Sequence, residues 1–111
     1  MPALKKHLIL VLTEPNEGHE AEFNDYYENT HLDEVLSSAG YDTAQRFKLV
    51  DGVGQPCPLP YLAVYEAQAE DSETALKMLN DSRSKRQQSK SLNKKTGRIW
   101  VFEELGPKHQ R

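Results

Sequence analysis

Residues 7–12 have the sequence His-Leu-Ile-Leu-Val-Leu, and this apolar run is the starting point for predicting the fold. The run is short and partly β-branched, and the turn-forming residues Thr-Glu-Pro-Asn follow it at 13–16. This pattern predicts a buried β-strand. Successive side chains of a strand point to opposite faces of its sheet, so Leu8 and Leu10 share one face while Ile9 and Val11 share the other. The predicted strand is therefore apolar on both sides.

The rest of the chain supplies three more strands and two helices. Further strands are predicted at 42–50, 61–67 and 98–105, and helices at 19–37 and about 73–86, the second with Ser72 as its N-cap. The resulting order is β-α-β-β-α-β, which is typical of a ferredoxin-like α+β fold. We expect an antiparallel four-stranded sheet with both helices on one face, in one domain over residues 1–106 with a tail at 107–111.

Two of the later strands repeat the two-sided apolar pattern. In the third strand Leu62 and Val64 oppose two tyrosines, and in the fourth Ile99 and Val101 oppose Trp100 and Phe102. Two helices cover one face of a sheet, and a free face of an antiparallel sheet is normally polar. A second copy of the chain is the simplest cover for the second face, so the pattern predicts a homodimer formed through the sheet.

Composition narrows the classes of protein. The chain has 111 residues, of which 37% are hydrophobic and 28% are charged, and these values are typical of one globular domain without a cofactor domain of its own. There is no apolar run of about 18 residues, and residues 1–6 show no signal-peptide pattern, so we expect a cytoplasmic protein without membrane contact. One cysteine, Cys57, and no zinc-type spacing indicate no metal site.

Charge is distributed unevenly along the chain. Residues 14–34 contain eight acids and no Lys or Arg, whereas residues 81–98 contain seven bases and one acid. The simpler interpretation is two solvated surfaces, and the sharper ones are complementary charges within or between copies, or a basic rim that attracts an anionic ligand. The net charge of −3 argues against a general nucleic-acid binder. The third strand also lacks the Lys/Arg-Gly-Phe pattern of RNA-recognition modules.

Tyr27 and His31 are the main candidates for chemistry. They lie one helical turn apart and therefore share a face of the first helix. Histidine is the usual proton shuttle near neutral pH, and a tyrosine hydroxyl can polarise a carbonyl. The alternative is a core histidine whose ring nitrogens are satisfied by Tyr27 or by the backbone.

The first helix and the following strand resemble the dimeric α+β barrel superfamily, and within it the EthD-like group. That group typically has a Phe-Asn-x-Trp-Tyr-x-x-x-His helix followed by Pro-Gly-Phe and a strand ending in Arg-Phe. Here Tyr26 stands where Trp is common and Ala39 stands where Pro is common. The residues that carry the resemblance are Glu22 to Tyr27, His31-Leu32, Val35-Leu36, Gly40-Tyr41 and Ala44 to Phe47.

The resemblance implies two protomers that press their sheets together into a barrel, each with a pocket between sheet and helices. Relatives are often cofactor-free cyclases, monooxygenases, isomerases, decarboxylases or dehalogenases acting on aromatic or polyketide-like molecules, and others have no established activity. Carried over to this chain, Tyr27 and His31 would line the pocket, with Tyr26 nearby. Arg46 matches the arginine of the second strand, either as an anion clamp or as an ion pair with the acidic helix.

Three further residues are weaker candidates for substrate contact. His7 lies on the Ile9 face at the start of its strand, where it would either converge with His31 or form a polar rim of the sheet. Tyr65 and Trp100 are expected in the core or in the wall of the pocket.

These observations together predict a small cofactor-independent enzyme of the isomerase, lyase, dehydratase or cyclase type. Its substrate would be a hydrophobic or aromatic molecule with a carbonyl or phenol group, with His31 as general acid and base and Tyr27 as donor to the substrate oxygen. The alternatives are a non-catalytic binding or accessory protein of the same fold, and a cofactor-free monooxygenase.

Overall fold

The computed structural model describes residues 3–111, so Met1 and Pro2 of the predicted domain lie outside the described residues. Four strands and two helical regions follow one another along the chain. Their bounds are β1 Lys5–Thr13, α1 Glu20–Tyr26, a π-helical turn Tyr27–His31, α2 Leu32–Ala39, β2 Thr43–Lys48, β3 Tyr61–Ala69, α3 Ser72–Asp81, a 3-10 turn Arg83–Lys85 and β4 Arg98–Glu103.

The four strands form one antiparallel sheet in the order β2-β3-β1-β4. The predicted α+β class with a four-stranded antiparallel sheet is confirmed, and the strand order is compatible with a ferredoxin-like arrangement. Leu10 at the centre of β1 lies opposite Val64 of β3 and Trp100 of β4. This register places the three side chains in one row on the same face of the sheet.

The first helix is continuous from Glu20 to Ala39 but widens at the π-helical turn. The junction residues Tyr26, Tyr27, His31 and Leu32 all keep right-handed helical backbone angles, and the Leu32 N–H bonds to the Tyr27 carbonyl five residues back. The helix ends at Gly40, the predicted stop, where φ is 78°. A left-handed backbone of this kind favours glycine, because a Cβ atom would be strained there.

The second helix differs from its predicted bounds at both ends. Its N-cap is Asp71 rather than Ser72, since an Asp71 carboxylate oxygen accepts the Thr74 N–H at 2.7 Å. The helix stops at Asp81 rather than near residue 86. The Ser82 hydroxyl there bonds the carbonyls of Met78 and Leu79, which competes with further helical bonding.

The core lies between the helices and one face of the sheet. Ile9, Ala63 and Tyr65 supply the sheet side and are almost fully buried, and Phe23 and Val35 supply the helix side. The opposite face remains partly open in the protomer, where Phe47, Trp100 and Phe102 keep 47%, 45% and 54% of their surface exposed. No helix within residues 3–111 is long and apolar enough to cross a membrane.

Candidate active site

A cavity of about 210 Å³ lies between the helix face of the sheet and the first helix. Val11, Tyr65 and Ile99 form its sheet wall, and Tyr27 and Leu79 form part of its helical wall. The polar segment between α3 and β4 lines the remaining side. An isolated bridge between Pro15 and Leu92, and the bond from the Asn16 N–H to the Ser91 carbonyl, hold that segment against the end of β1.

His31 faces this cavity from the π-helical turn with one ring nitrogen fixed. Its Nδ1 lies 3.0 Å from the Tyr26 hydroxyl, and that hydroxyl donates to the Gln87 carbonyl at 2.8 Å. Because a carbonyl only accepts, the Tyr26 proton goes to Gln87 and His31 Nδ1–H donates to the Tyr26 oxygen. This assigns the proton of the neutral ring to Nδ1 and leaves Nε2 with a free lone pair. Among the described residues Nε2 has no hydrogen-bond partner.

The surroundings keep the His31 ring neutral. Burial, and to a lesser degree the positive charge of Arg86, lower its pKa from 6.5 to about 4. Both effects disfavour the charged imidazolium. At neutral pH the ring therefore offers Nε2 as a base and holds no proton there to donate.

Two buried tyrosines line the same cavity as His31 and carry hydroxyl groups that can donate hydrogen bonds. The Tyr27 ring meets the His31 ring edge to face at 4.7 Å, and Tyr65 lines the cavity from β3. Burial raises the pKa of Tyr27, against smaller lowering effects from a Thr13 hydroxyl contact and from Arg46, and burial also raises the pKa of Tyr65. Both phenols keep their protons at neutral pH, so the structure brings together a base and two neutral donors.

Tyr26, whose substrate-binding role was predicted from the family motif, lines the same cavity. Burial raises its pKa to about 12, so its hydroxyl also stays protonated. Its two hydrogen bonds make it the group that orients His31.

Arg46 lies outside the cavity. Its guanidinium sits over the rings of Phe23, Tyr27 and Tyr61 at 5.5, 5.1 and 5.4 Å. One Nη donates to the Asn24 side-chain oxygen at 2.7 Å, and Glu28 lies 3.7 Å away. Of the two predicted roles, anion clamp and ion pair with the acidic helix, this geometry matches the ion pair. Arg46 also lines a second, shallow pocket at the surface.

His7 and Trp100 are not brought together with His31. His7 is fully buried, with Nδ1 bonded to the Lys5 carbonyl at 2.9 Å and Nε2 3.3 Å from Glu103, and it does not line the cavity. Trp100 points to the open face of the sheet, opposite to Ile99, which lines the cavity.

Several residues of the cavity wall were not among the predicted site residues. They are mostly polar or basic and come from the end of β1, the segment between α3 and β4, and the start of β4: Thr13, Arg83, Arg86, Gln88, Asn93, Lys94 and Arg98. The excess of bases over residues 81–98 was the sequence signal that could have identified the basic ones among them.

Comparisons with protein-family models, with curated proteins and with solved structures find no match for this chain. Among residues 3–111, no group of three or more His, Cys, Asp or Glu side chains is arranged to hold a metal ion.

Proposed function

We propose that the protein is a small cofactor-independent enzyme that transfers a proton on a hydrophobic or aromatic molecule with a carbonyl or phenol group. The observation that carries the proposal is the state of His31: its Nδ1–H is committed to Tyr26, and its Nε2 lone pair is open beside the cavity. A neutral imidazole with a fixed tautomer can accept a proton at neutral pH, and its pKa of about 4 makes it a weaker base than an ordinary histidine.

In the proposed mechanism, His31 Nε2 removes a proton from the carbon next to the substrate carbonyl. The Tyr27 hydroxyl donates a hydrogen bond to the oxygen on which negative charge develops. The imidazolium then returns the proton to another position or to a leaving group, giving isomerisation, cyclisation or elimination. Tyr26 holds the ring through Nδ1 during both steps.

We also propose a homodimer in which two sheets meet through their open faces, as the predicted EthD-like assembly implies. The support is the exposure of large apolar side chains on the face without helices, among them Phe47, Trp100 and Phe102. Clustered apolar side chains of this kind are unusual on the surface of a monomer. Covering them with a second copy would close both sheets into one barrel.

Exchange of hydrogen for deuterium tests the proton-transfer step without knowledge of the product. The protein is incubated in deuterium oxide with acetophenone, phenylpyruvate or resorcinol, and loss of the exchangeable C–H signal is followed by proton NMR. We expect enzyme-dependent exchange with at least one probe, and a loss of about 100-fold or more in His31→Gln, because a positioned base contributes that factor.

The matched control is His19→Gln, which changes an exposed histidine at the start of the same helix. Exchange should be unchanged in that variant, and circular dichroism should be native in both. Equal exchange in wild type and His31→Gln would exclude His31 as the base. Binding of a probe with a raised melting temperature but no exchange would favour the non-catalytic binding protein.

A further inference from the structure

The charged residues that line the cavity all have the same sign. Arg83, Arg86, Lys94 and Arg98 contribute to its wall, and no Asp or Glu does so. Three of the four, Arg83, Lys94 and Arg98, are exposed at the surface, whereas Arg86 is buried. None of the four has a carboxylate within 4.0 Å among the described residues, where every ion pair involves other bases. The cavity therefore has a positive potential that the protein itself does not neutralise.

Arg86 is the most unusual of these residues, because only 8% of its surface is exposed. Its three hydrogen bonds go to neutral oxygens: Nη1 reaches the Ser38 and Ser82 hydroxyls at 3.0 and 2.7 Å, and Nη2 reaches the Leu79 carbonyl at 3.0 Å. A guanidinium has five N–H groups, so Nε–H and one Nη2–H remain without a protein acceptor among residues 3–111. A buried charge is normally paired with an opposite charge.

The nearby acidic residue on the first helix does not supply that charge. The Glu34 carboxylate accepts the Gln87 N–H at 3.1 Å, and it forms no ion pair with Arg86. The carbonyl of the same Gln87 accepts the hydrogen bond from the Tyr26 hydroxyl. Gln87 follows Arg86 in the chain and bonds Tyr26, which in turn bonds His31. An anion beside Arg86 would therefore be close to the proposed base.

We propose that the substrate is an aromatic carboxylate, whose carboxylate group occupies the cavity beside Arg86 as its missing counter-ion. This inference rests on the proposed function for the reaction, but the binding it predicts is separate from turnover. A carboxylate matches the planar guanidinium and carries one charge for one buried cation. The cavity is smaller than a typical ligand pocket of about 300–1,000 Å³, so a substrate with one ring fits it best. The ring would lie against the apolar wall of Val11, Tyr65 and Ile99.

The exposed bases at the rim have a different role from Arg86. Arg83, Lys94 and Arg98 are solvated, so each contributes a weak interaction that salt screens. Together they raise the local concentration of anions at the mouth of the cavity. Arg86 also holds the end of α3 through Leu79 and Ser82, so its truncation would disturb folding as well as binding. The rim is therefore the better target for substitution.

Binding of matched acids and amides tests the proposal. Isothermal titration at low salt compares benzoate with benzamide, phenylacetate with phenylacetamide, and para-hydroxybenzoate with para-hydroxybenzamide. Each pair has nearly the same shape and differs in charge. We expect at least one acid to bind about 10-fold or more tightly than its amide, and the preference to fall with added salt. Amide shifts of Gly97 and Ile99 in NMR spectra should report binding in the cavity that they line.

Two triple variants with equal changes in net charge separate local from general electrostatics. Arg83→Gln/Lys94→Gln/Arg98→Gln removes the rim, and Lys85→Gln/Lys90→Gln/Lys95→Gln removes three bases of the same segment that do not line the cavity. We expect the preference for the acid to fall about 3-fold or more in the rim variant and to stay unchanged in the control. A third variant, Arg86→Lys, keeps the charge but loses the planar donor set, and it should weaken binding of the acid more than binding of the amide.

Three results would overturn the proposal: equal affinity for acids and amides, no binding of any acid, or the same loss in both triple variants. Failure of the proposed function is recognised separately. A protein that prefers acids in titration but shows no His31-dependent exchange would be an anion-binding protein without the proposed catalysis. A protein that exchanges protons without any preference for acids would keep the catalytic proposal and lose this one.

Discussion

His31 shows how much the chemistry of one residue depends on its neighbours. In water an imidazole is partly protonated near neutral pH, but burial and Arg86 lower the pKa of this ring to about 4. The Tyr26 oxygen then fixes which nitrogen holds the remaining proton. A bound anion beside Arg86 would offset one of the two effects that lower the pKa. The basicity of His31 would then increase when the proposed substrate is present.

The lowered pKa of His31 predicts that stability falls in mild acid. Because the pKa is about 4 in the folded state and 6.5 in the unfolded state, the unfolded chain takes up a proton first as pH falls. This group therefore lowers the free energy of unfolding between those two pH values, by up to roughly 3 kcal/mol. Urea unfolding of wild type and His31→Gln across this range isolates the contribution. The stability difference between them should shrink or reverse in acid, and a constant difference would contradict the shifted pKa.

The sequence predicted part of this site and missed the rest for physical reasons. The spacing of Tyr27 and His31 follows directly from helical geometry, and the two rings are in contact. The bond from His31 to Tyr26 joins residues five apart, which an α-helix does not place together, and it occurs where the helix widens. Arg86 was visible only as one of many bases, since its burial depends on how the segment after α3 folds back.

At the scale of elements, the π-helical turn is the feature that positions the proposed base. It spans Tyr27–His31, so the two candidate catalytic residues mark its ends. Such turns are rare and often occur at functional sites. Phe23 and Val35, on either side of the turn, both remain buried. The extra width therefore leaves the core contacts of the helix intact while changing the direction of His31.

Arg46 connects an edge strand to the first helix, and its loss should destabilise the fold rather than the cavity. Arg46→Ala removes the bond to Asn24 and the contacts with three aromatic rings, so we expect the free energy of unfolding to fall by about 2 kcal/mol. Lys48→Ala, an exposed change two residues along β2, should cost less than about 0.5 kcal/mol. Chemical denaturation measures both. Equal effects would show that the aromatic contacts contribute little.

The bounds of elements were predicted less well than their order. All four strands and both helical regions occur where the apolar pattern predicts them. That pattern extends over a whole segment, so no single residue decides whether the element forms. The ends depend on single hydrogen bonds instead. Asp71 and Ser72 are both good N-caps by residue type, and only the bond from the Thr74 N–H to Asp71 distinguishes them.

For the whole molecule, the main apolar surface left exposed in one protomer is the open face of the sheet. The row of Val64, Leu10 and Trp100 crosses its centre, and none of the three is fully buried in one protomer. Water at this face gains no hydrogen bonds from these side chains, so covering them is favourable in proportion to the apolar area removed. A second copy offers an identical apolar surface, and a two-fold axis through the row would bring the two sheets together.

Val64→Lys tests the proposed dimer, because it places a charge in the middle of this row. The substituted side chain points away from the core of its own protomer, so the fold should persist while the dimer dissociates. Gln68→Lys is the matched control, since residue 68 lies on the same strand and face but is already exposed near the end of the strand. Sedimentation velocity should give a dimer for wild type and Gln68→Lys and a monomer for Val64→Lys, with native circular dichroism throughout. A monomeric wild type at micromolar concentration would contradict the proposed dimer.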